Sequence, residues 1–203
     1  MAFTFFFRDQ QTLDLLAEHA LPVLSQNRYI RIWDAGCAMG PEPYSLAMIF
    51  REHMGKFLFR NLRISATDID ESDFGTIIGR GVYPEEQLKR IPAEIFQRYF
   101  EPDTEPGCFR LVEEIRMSVQ FQRHDLLSLQ PVRTDFGLVV CKNVLLHFTP
   151  EQRVDVIKMF HSALIDNGFF VTEQTQKMPA ECDGLFRQVT QAAQVFQKIS
   201  TNN

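Results

Sequence analysis

The sequence predicts an α/β fold, a mostly parallel sheet with one small antiparallel excursion, and three observations predict it. Short apolar runs at Ile30–Trp33, Leu62–Thr67, Gly137–Cys141 and Phe169–Thr172 read as buried strands. Stretches with helical spacing alternate with them over short connections, the rhythm of a parallel sheet. Polar turns close the strands at their carboxyl ends, where open α/β sheets bind ligands.

The elements follow in order. After Arg8, the residues Leu13, Leu16, Ala17, Ala20 and Leu24 recur at helical spacing, and Pro22 kinks or ends that helix. The strand from Ile30 stops at Asp34-Ala35-Gly36. Pro41 then occupies a first helical turn, and Tyr44–His53 continues as helix. The strand from Leu62 closes at Asp68-Ile69-Asp70, with a shorter helix over Phe74–Gly79. Helical patches are expected at Pro84–Arg90 and Ala93–Phe100, then a turn-rich stretch, Glu101–Gly107. Phe109–Val112 and Ser118–Gln122 read as the antiparallel excursion, so 101–122 forms a small β-unit. Thr149 is a candidate N-cap, with Pro150 at the first helical position and Gln152 completing a capping box. That helix should reach Leu164, with Asn167-Gly168 as its stop, and Val189–Ile199 should complete the sheet with antiparallel strands.

Composition bounds the function. At 203 residues, 1–203 is expected to be one domain, with 1–28 as an N-terminal segment and helix. Nineteen Phe predict large aromatic wedges in the core and an aromatic-walled pocket. The net charge of −5 without a Lys/Arg run gives no support to nucleic-acid or membrane-surface binding. No apolar run reaches the ~18 residues of a membrane helix, and the apolar start Met1–Phe7 is too short for a signal peptide. Cysteines at 37, 108, 141 and 182 form no CxxC pair. No metal site is expected, and the expected compartment is the reducing cytoplasm.

The strand ends carry the candidate chemistry. The turn Asp34-Ala35-Gly36-Cys37-Ala38-Met39-Gly40-Pro41-Glu42 has two glycines that permit a tight turn and close ligand approach. It is not GxGxxG, which favours an adenosine cofactor without phosphates over a dinucleotide. Asp68, after the second strand, can accept both hydroxyls of a ribose. His124-Asp125 and Lys142-Asn143 follow later strands. Alone, the glycine turn reads as an ordinary strand-to-helix turn, and the acidic end of the second strand shifts the balance towards nucleoside binding. Arg8 after a Phe triplet is better explained by a lid burying apolar surface than by a free surface cation.

Together these segments resemble the catalytic domain of CheR-type chemotaxis receptor methyltransferases. The matching residues are Thr4–Asp9, Arg31–Cys37 continuing to Glu42–Ala47, Ala66–Asp70, Gly81–Tyr83, Arg98–Phe100, His124–Leu127 and Cys141–Phe148, in order over nearly the whole chain. The resemblance implies a Rossmann-like S-adenosylmethionine-dependent methyltransferase fold with a small inserted antiparallel β-subdomain, S-adenosyl-L-homocysteine as product, and glutamate side chains of chemoreceptor helices as acceptors. By residue match, Glu42 would hold the methionine ammonium and Asp68 the ribose, with Gly36 in the cofactor turn. Asp125 and Leu126 would flank the adenine, and Asn143 and Val144 the methionine portion. Thr4 and Arg8 would fold over the cofactor, and Arg8 and His147 would stand at the reacting end. A bacterial, cytoplasmic monomer acting on a protein substrate is implied.

The sequence departs from that pattern in several places. The family commonly carries an all-helical domain before the Phe-Phe-Arg segment, where this chain begins. Gly40-Pro41-Glu42 stands for a turn with two acidic residues, and Asp125 stands for Asn. His147 replaces the usual Tyr and Lys142 an Arg, and Thr172-Glu173-Gln174-Thr175 replaces a His-Ser turn. Three readings stay open: a protein-glutamate O-methyltransferase, a methyltransferase of the same fold with another acceptor, and a cofactor-binding interaction module without catalysis. The remaining histidines, His19, His53, His124 and His161, read as structural or solvated.

Overall fold

The computed structural model describes residues 4–69 and 73–200, so Met1–Phe3 of the N-terminal segment and Asp70 of the second-strand turn lie outside the described residues. The chain opens with α1 (Gln10–His19), capped by the Asp9 carboxylate, and α2 (Leu21–Leu24), which begins anew with Pro22 in its first turn. Next come β1 (Ile30–Ala35), α3 (Pro41–His53), α4 (Lys56–Phe59), β2 (Leu62–Asp68) and α5 (Phe74–Arg80). The middle holds β3 (Val82–Pro84), α6 (Glu85–Leu88), α7 (Ala93–Tyr99), β4 (Phe100–Pro102), β5 (Cys108–Leu111) and α8 (Glu113–Arg116). The last third holds β6 (Val119–Arg123), β7 (Phe136–Val140), α9 (Pro150–Ala163), β8 (Leu164–Val171), β9 (Phe186–Gln188) and β10 (Val195–Lys198).

Seven strands form the main sheet in the order β6-β2-β1-β7-β8-β10-β9. The first five are parallel neighbours, and β10 runs antiparallel to both β8 and β9. The chain leaves β1 towards β2 on one side and later returns to β7 on the other. This topological switch opens a crevice at the carboxyl ends of β1, β2 and β7. The arrangement is the Rossmann-like architecture expected from the sequence.

Two expectations change. Ser118–Gln122 does not belong to the antiparallel excursion: β6 pairs in parallel with β2 at the edge of the main sheet. The small sheet is β3-β5-β4, so it recruits Val82–Pro84 from outside 101–122. Asn167-Gly168 also does not stop α9. The helix ends in extended Leu164, and Asn167, at φ 58, sits in an irregularity within β8, where the β7 pairing jumps from Leu164 to Phe169. The Thr149 capping box forms as expected, each partner accepting from the other's backbone.

The aromatic residues fill the core more than the pocket. Trp33 is fully buried, stacks on Phe136, meets Phe160 edge-on, and donates from Nε1 to Thr67 Oγ1. Phe6, Phe50, Phe59, Phe169 and Phe170 are also fully enclosed. Among the described residues, no helix is long and apolar enough to cross a membrane.

Candidate cofactor site

The turn after β1 is fastened to β2 by its own backbone. Gly36 N–H and Cys37 N–H both donate to the Thr67 carbonyl, and Ala38 N–H donates to Asp68 Oδ2 at 2.9 Å. Positive φ alternates through Gly36, Ala38 and Gly40, coiling the backbone before Pro41 starts α3. The glycines serve this packing more directly than an open approach to a ligand. A Cβ on Gly36 would lie 2.1 Å from Val144 Cγ2, and one on Gly40 would lie 2.8 Å from the Tyr83 hydroxyl.

A cavity of about 650 Å³ opens over this turn, within the range of small-molecule sites. Its walls come from the lid (Thr4, Arg8), the turn and α3 (Gly36, Glu42), and the end of β2 (Asp68). Asp125 and Leu126 after β6, and Asn143, Val144 and His147 after β7, complete them. All ten residues singled out in the sequence therefore border one space. His147 is exposed at the end of a short 3-10 turn, and Phe148 follows it as a lining aromatic. The wall is otherwise aliphatic and polar rather than aromatic.

The lid is held from beneath. Phe6 is fully buried against Tyr83 and Phe100, edge-on, and Phe7 N–H donates to Ser45 Oγ at 2.9 Å. The Arg90 guanidinium carbon lies over the Phe5 ring, 3.9 Å from the ring centroid. These contacts place Arg8 on the cavity wall.

Charge is concentrated at the inner end. The Lys142 ammonium, nearly enclosed, lies 3.2 Å from Asp9 Oδ2 and 3.5 Å from Glu42 Oε2. Burial pushes the Glu42 carboxyl above the ordinary carboxylate range, with Lys142 opposing the rise. Asp125 caps its own turn by accepting from Leu127 N–H. Asn143 adopts φ 59, and its N–H donates to Glu173 Oε2 at 3.0 Å, an oxygen that also accepts from Thr172 Oγ1. His124 packs edge-on against Trp33, with Nε2 at 2.8 Å from the Gln130 carbonyl.

Sequence reasoning assigns no role to three residues, Lys142 on the cavity wall and Asp34 and Glu173 behind it. Lys142 stands in that reading as a strand-end residue and a replacement for Arg but without a role, Asp34 as part of a turn, and Glu173 as part of a departure. Glu173 is the second residue after a strand with a buried end, so inspecting the first polar residues after every strand would have found it. The donor set fits S-adenosylmethionine: the lining holds one carboxylate, Glu42, that suits an ammonium, a second, Asp68, that suits a diol, and aliphatic Val144, Leu126 and Ile69.

Residues 2–195 match the family described as CheR methyltransferase, SAM binding domain. The chain is 34% identical over 170 residues to chemotaxis protein methyltransferase 2 of Pseudomonas aeruginosa, covering 82% of this chain and 60% of that one. It is 31% identical over 177 residues to the chemotaxis protein methyltransferase of Borreliella burgdorferi, covering 83% and 62%. The chain thus spans about 60% of the length of these curated relatives. The solved N-methyltransferase NodS of Bradyrhizobium japonicum, in complex with S-adenosyl-L-homocysteine, is similar at a TM-score of 0.44 and 15% identity, over 82% of this chain and 63% of that one. On its match across 2–195, the chain belongs to the CheR methyltransferase family and carries that family's S-adenosylmethionine-binding domain.

Proposed function

We propose that this chain is a methyltransferase domain that O-methylates glutamate carboxylates on a chemoreceptor-like protein, working as a cytoplasmic monomer. The observation that carries the reading is one cavity bordered by Glu42, Asp68, Arg8 and Lys142, in a chain of the CheR family. Bound S-adenosylmethionine supplies an electrophilic methyl group on its sulfonium. Glu42 pairs with the ammonium of the methionine portion, and Asp68 accepts from the ribose hydroxyls. Leu126 and Asp125 flank the adenine, while Gly36, Asn143 and Val144 enclose the methionine portion. Thr4 closes the lid over it.

An acceptor carboxylate is already ionised at neutral pH, so the reaction needs no general base. The chain's task is to align the acceptor and exclude water. Arg8 suits this role, because its planar guanidinium can hold a carboxylate by two parallel hydrogen bonds. His147, exposed and also on the cavity wall, can donate one hydrogen bond as a neutral imidazole.

Calorimetry with S-adenosylmethionine and S-adenosylhomocysteine tests the cofactor; absence of binding by both sinks the proposal. Base-labile methyl transfer to Glu-rich receptor helices tests the acceptor, and transfer only to other proteins or small molecules refutes that part. Glu42→Gln should weaken cofactor binding at least about tenfold, the scale of one charge-assisted hydrogen bond.

A further inference from the structure

The carboxyl ends of β1 and β7 and the first turn of α3 hold more buried acid than base. The Lys142 ammonium is already shared there by Asp9 and Glu42, and the Arg8 charge also acts on Glu42. Asp34, at the end of β1, has no comparable partner. Its side chain is wholly buried, and neither carboxylate oxygen accepts a hydrogen bond among the described residues. The groups facing it are Glu42 from α3, Lys142 after β7, Asp68 at the end of β2, and the thiols of Cys37 and Cys141. Of these, Lys142 alone is cationic.

A carboxylate in such surroundings, without a donor or a cation of its own, neutralises rather than stay ionised. Burial, then the Glu42 charge, pushes the Asp34 carboxyl well above the ordinary range, with Lys142 opposing. Glu42 faces the same burial but has the Lys142 ammonium at 3.5 Å. Of the two carboxyls, Asp34 is therefore the one left without a partner for its charge.

We propose that Asp34 is a proton-linked carboxylate just behind the cofactor's ammonium site, protonated while Lys142 and Arg8 are the cations at that end and ionised once an α-ammonium docks beside Glu42. The inference rests on the cofactor reading above. On docking, the O–H bond of the Asp34 carboxyl breaks and its proton leaves to the buffer. The ligand ammonium keeps its own protons, and its charge replaces the one the proton carried.

The test is titration calorimetry of the full chain with S-adenosylhomocysteine at pH 6.5, in buffers of different ionisation enthalpy. An α-amino group has a pKa of about 7.7–8.0, so the ligand is cationic before it binds. The expected result is an observed enthalpy that varies linearly with buffer ionisation enthalpy, with the sign of net proton release. Affinity should rise with pH, by no more than the roughly tenfold per unit that one proton allows. Asp34→Asn should bind several-fold more weakly, with neither the buffer dependence nor the pH slope.

Failure of the unmodified chain to bind sinks the cofactor reading itself. Binding without proton release leaves that reading in place and overturns this one. Release that persists in Asp34→Asn assigns the proton to another group and also overturns it. The buffer series uses the unmodified chain, so it decides the question even if the variant does not fold.

Discussion

Alanine at Gly36 tests whether the turn and the loop after β7 are fitted to one another. The perturbation adds one carbon, which would lie 2.1 Å from Val144 Cγ2 and 3.4 Å from Val144 Cβ, at a backbone φ of +101°. Two costs follow. Holding an L-residue at this φ costs about 1–3 kcal/mol, and the overpacking costs about 1–3 kcal/mol more. Trimming the neighbour separates them, because Val144→Ala removes both γ-carbons and leaves an ordinary contact at 3.4 Å. The double variant should keep the backbone cost and lose the steric one, a coupling of about 1–3 kcal/mol. Urea unfolding of the four chains measures it. At about 2–4 °C per kcal/mol for a domain of this size, Gly36→Ala alone should lower Tm by roughly 10 °C. Costs that add to within about 0.5 kcal/mol would refute the argument that Val144 occupies the glycine's missing side chain.

Three further outcomes are expected. Glu173→Ala leaves the Asn143 N–H and the Thr172 hydroxyl without their acceptor, whereas Glu173→Gln keeps one oxygen that can serve both. Calorimetry should find cofactor binding weakened about tenfold by the first and little by the second, and equal losses would locate the effect in charge instead. Thr149→Ala removes one half of the capping box of α9 and should cost about 1 kcal/mol, a thermal shift of about 2–4 °C. An unchanged melting point contradicts it. Burial, and then Lys198, hold His161 below its ordinary pKa of 6.5, and its Nε2 is enclosed without a partner among the described residues. The unfolded chain binds that proton more readily, so this contribution is complete above about pH 6.5 and is lost as pH falls through the unfolded value towards the folded one. His161→Phe should flatten the decline in urea stability between pH 7 and 5.5, and an unchanged slope counts against the assignment.

The parallel strands were legible because burial on both faces writes itself as continuous apolar runs, as in Phe136–Val140, where every residue is buried. Val119–Arg123 was misplaced for the converse reason. It is an edge strand with β2 as its one neighbour, so Val119 is buried while Gln120, Gln122 and Arg123 are exposed. That alternation imitates a one-sided antiparallel strand, and only pairing distinguishes the two. Asn167-Gly168 carries the composition of a helix stop, and its actual place within β8 depends on the register against β7. At the site, the strand-end rule located residues that border the cavity, because topology alone places them there. It could not locate the charge balance. Asp34 and Lys142 are ordinary polar residue types, and their burial comes from elements more than a hundred positions apart meeting at one strand end.

The small antiparallel sheet is part of the same structure rather than an appendage to it. Tyr83 of β3 donates its hydroxyl to the Met39 carbonyl at 2.8 Å, inside the turn that leads to Glu42. The same ring meets Phe6 edge-on at 5.0 Å, two residues before Arg8. Ser45 accepts from Phe7 N–H and donates to the Pro41 carbonyl, closing a second path between lid and helix start. Arg8 on one wall and Glu42 on another are thus each within three residues of an atom fixed by Tyr83 or by Ser45. A densely packed core moves as discrete units rather than deforming smoothly. A displacement of β3 therefore has to be taken up at both walls of the cavity together, and the lid cannot open without unseating Phe6 from the sheet.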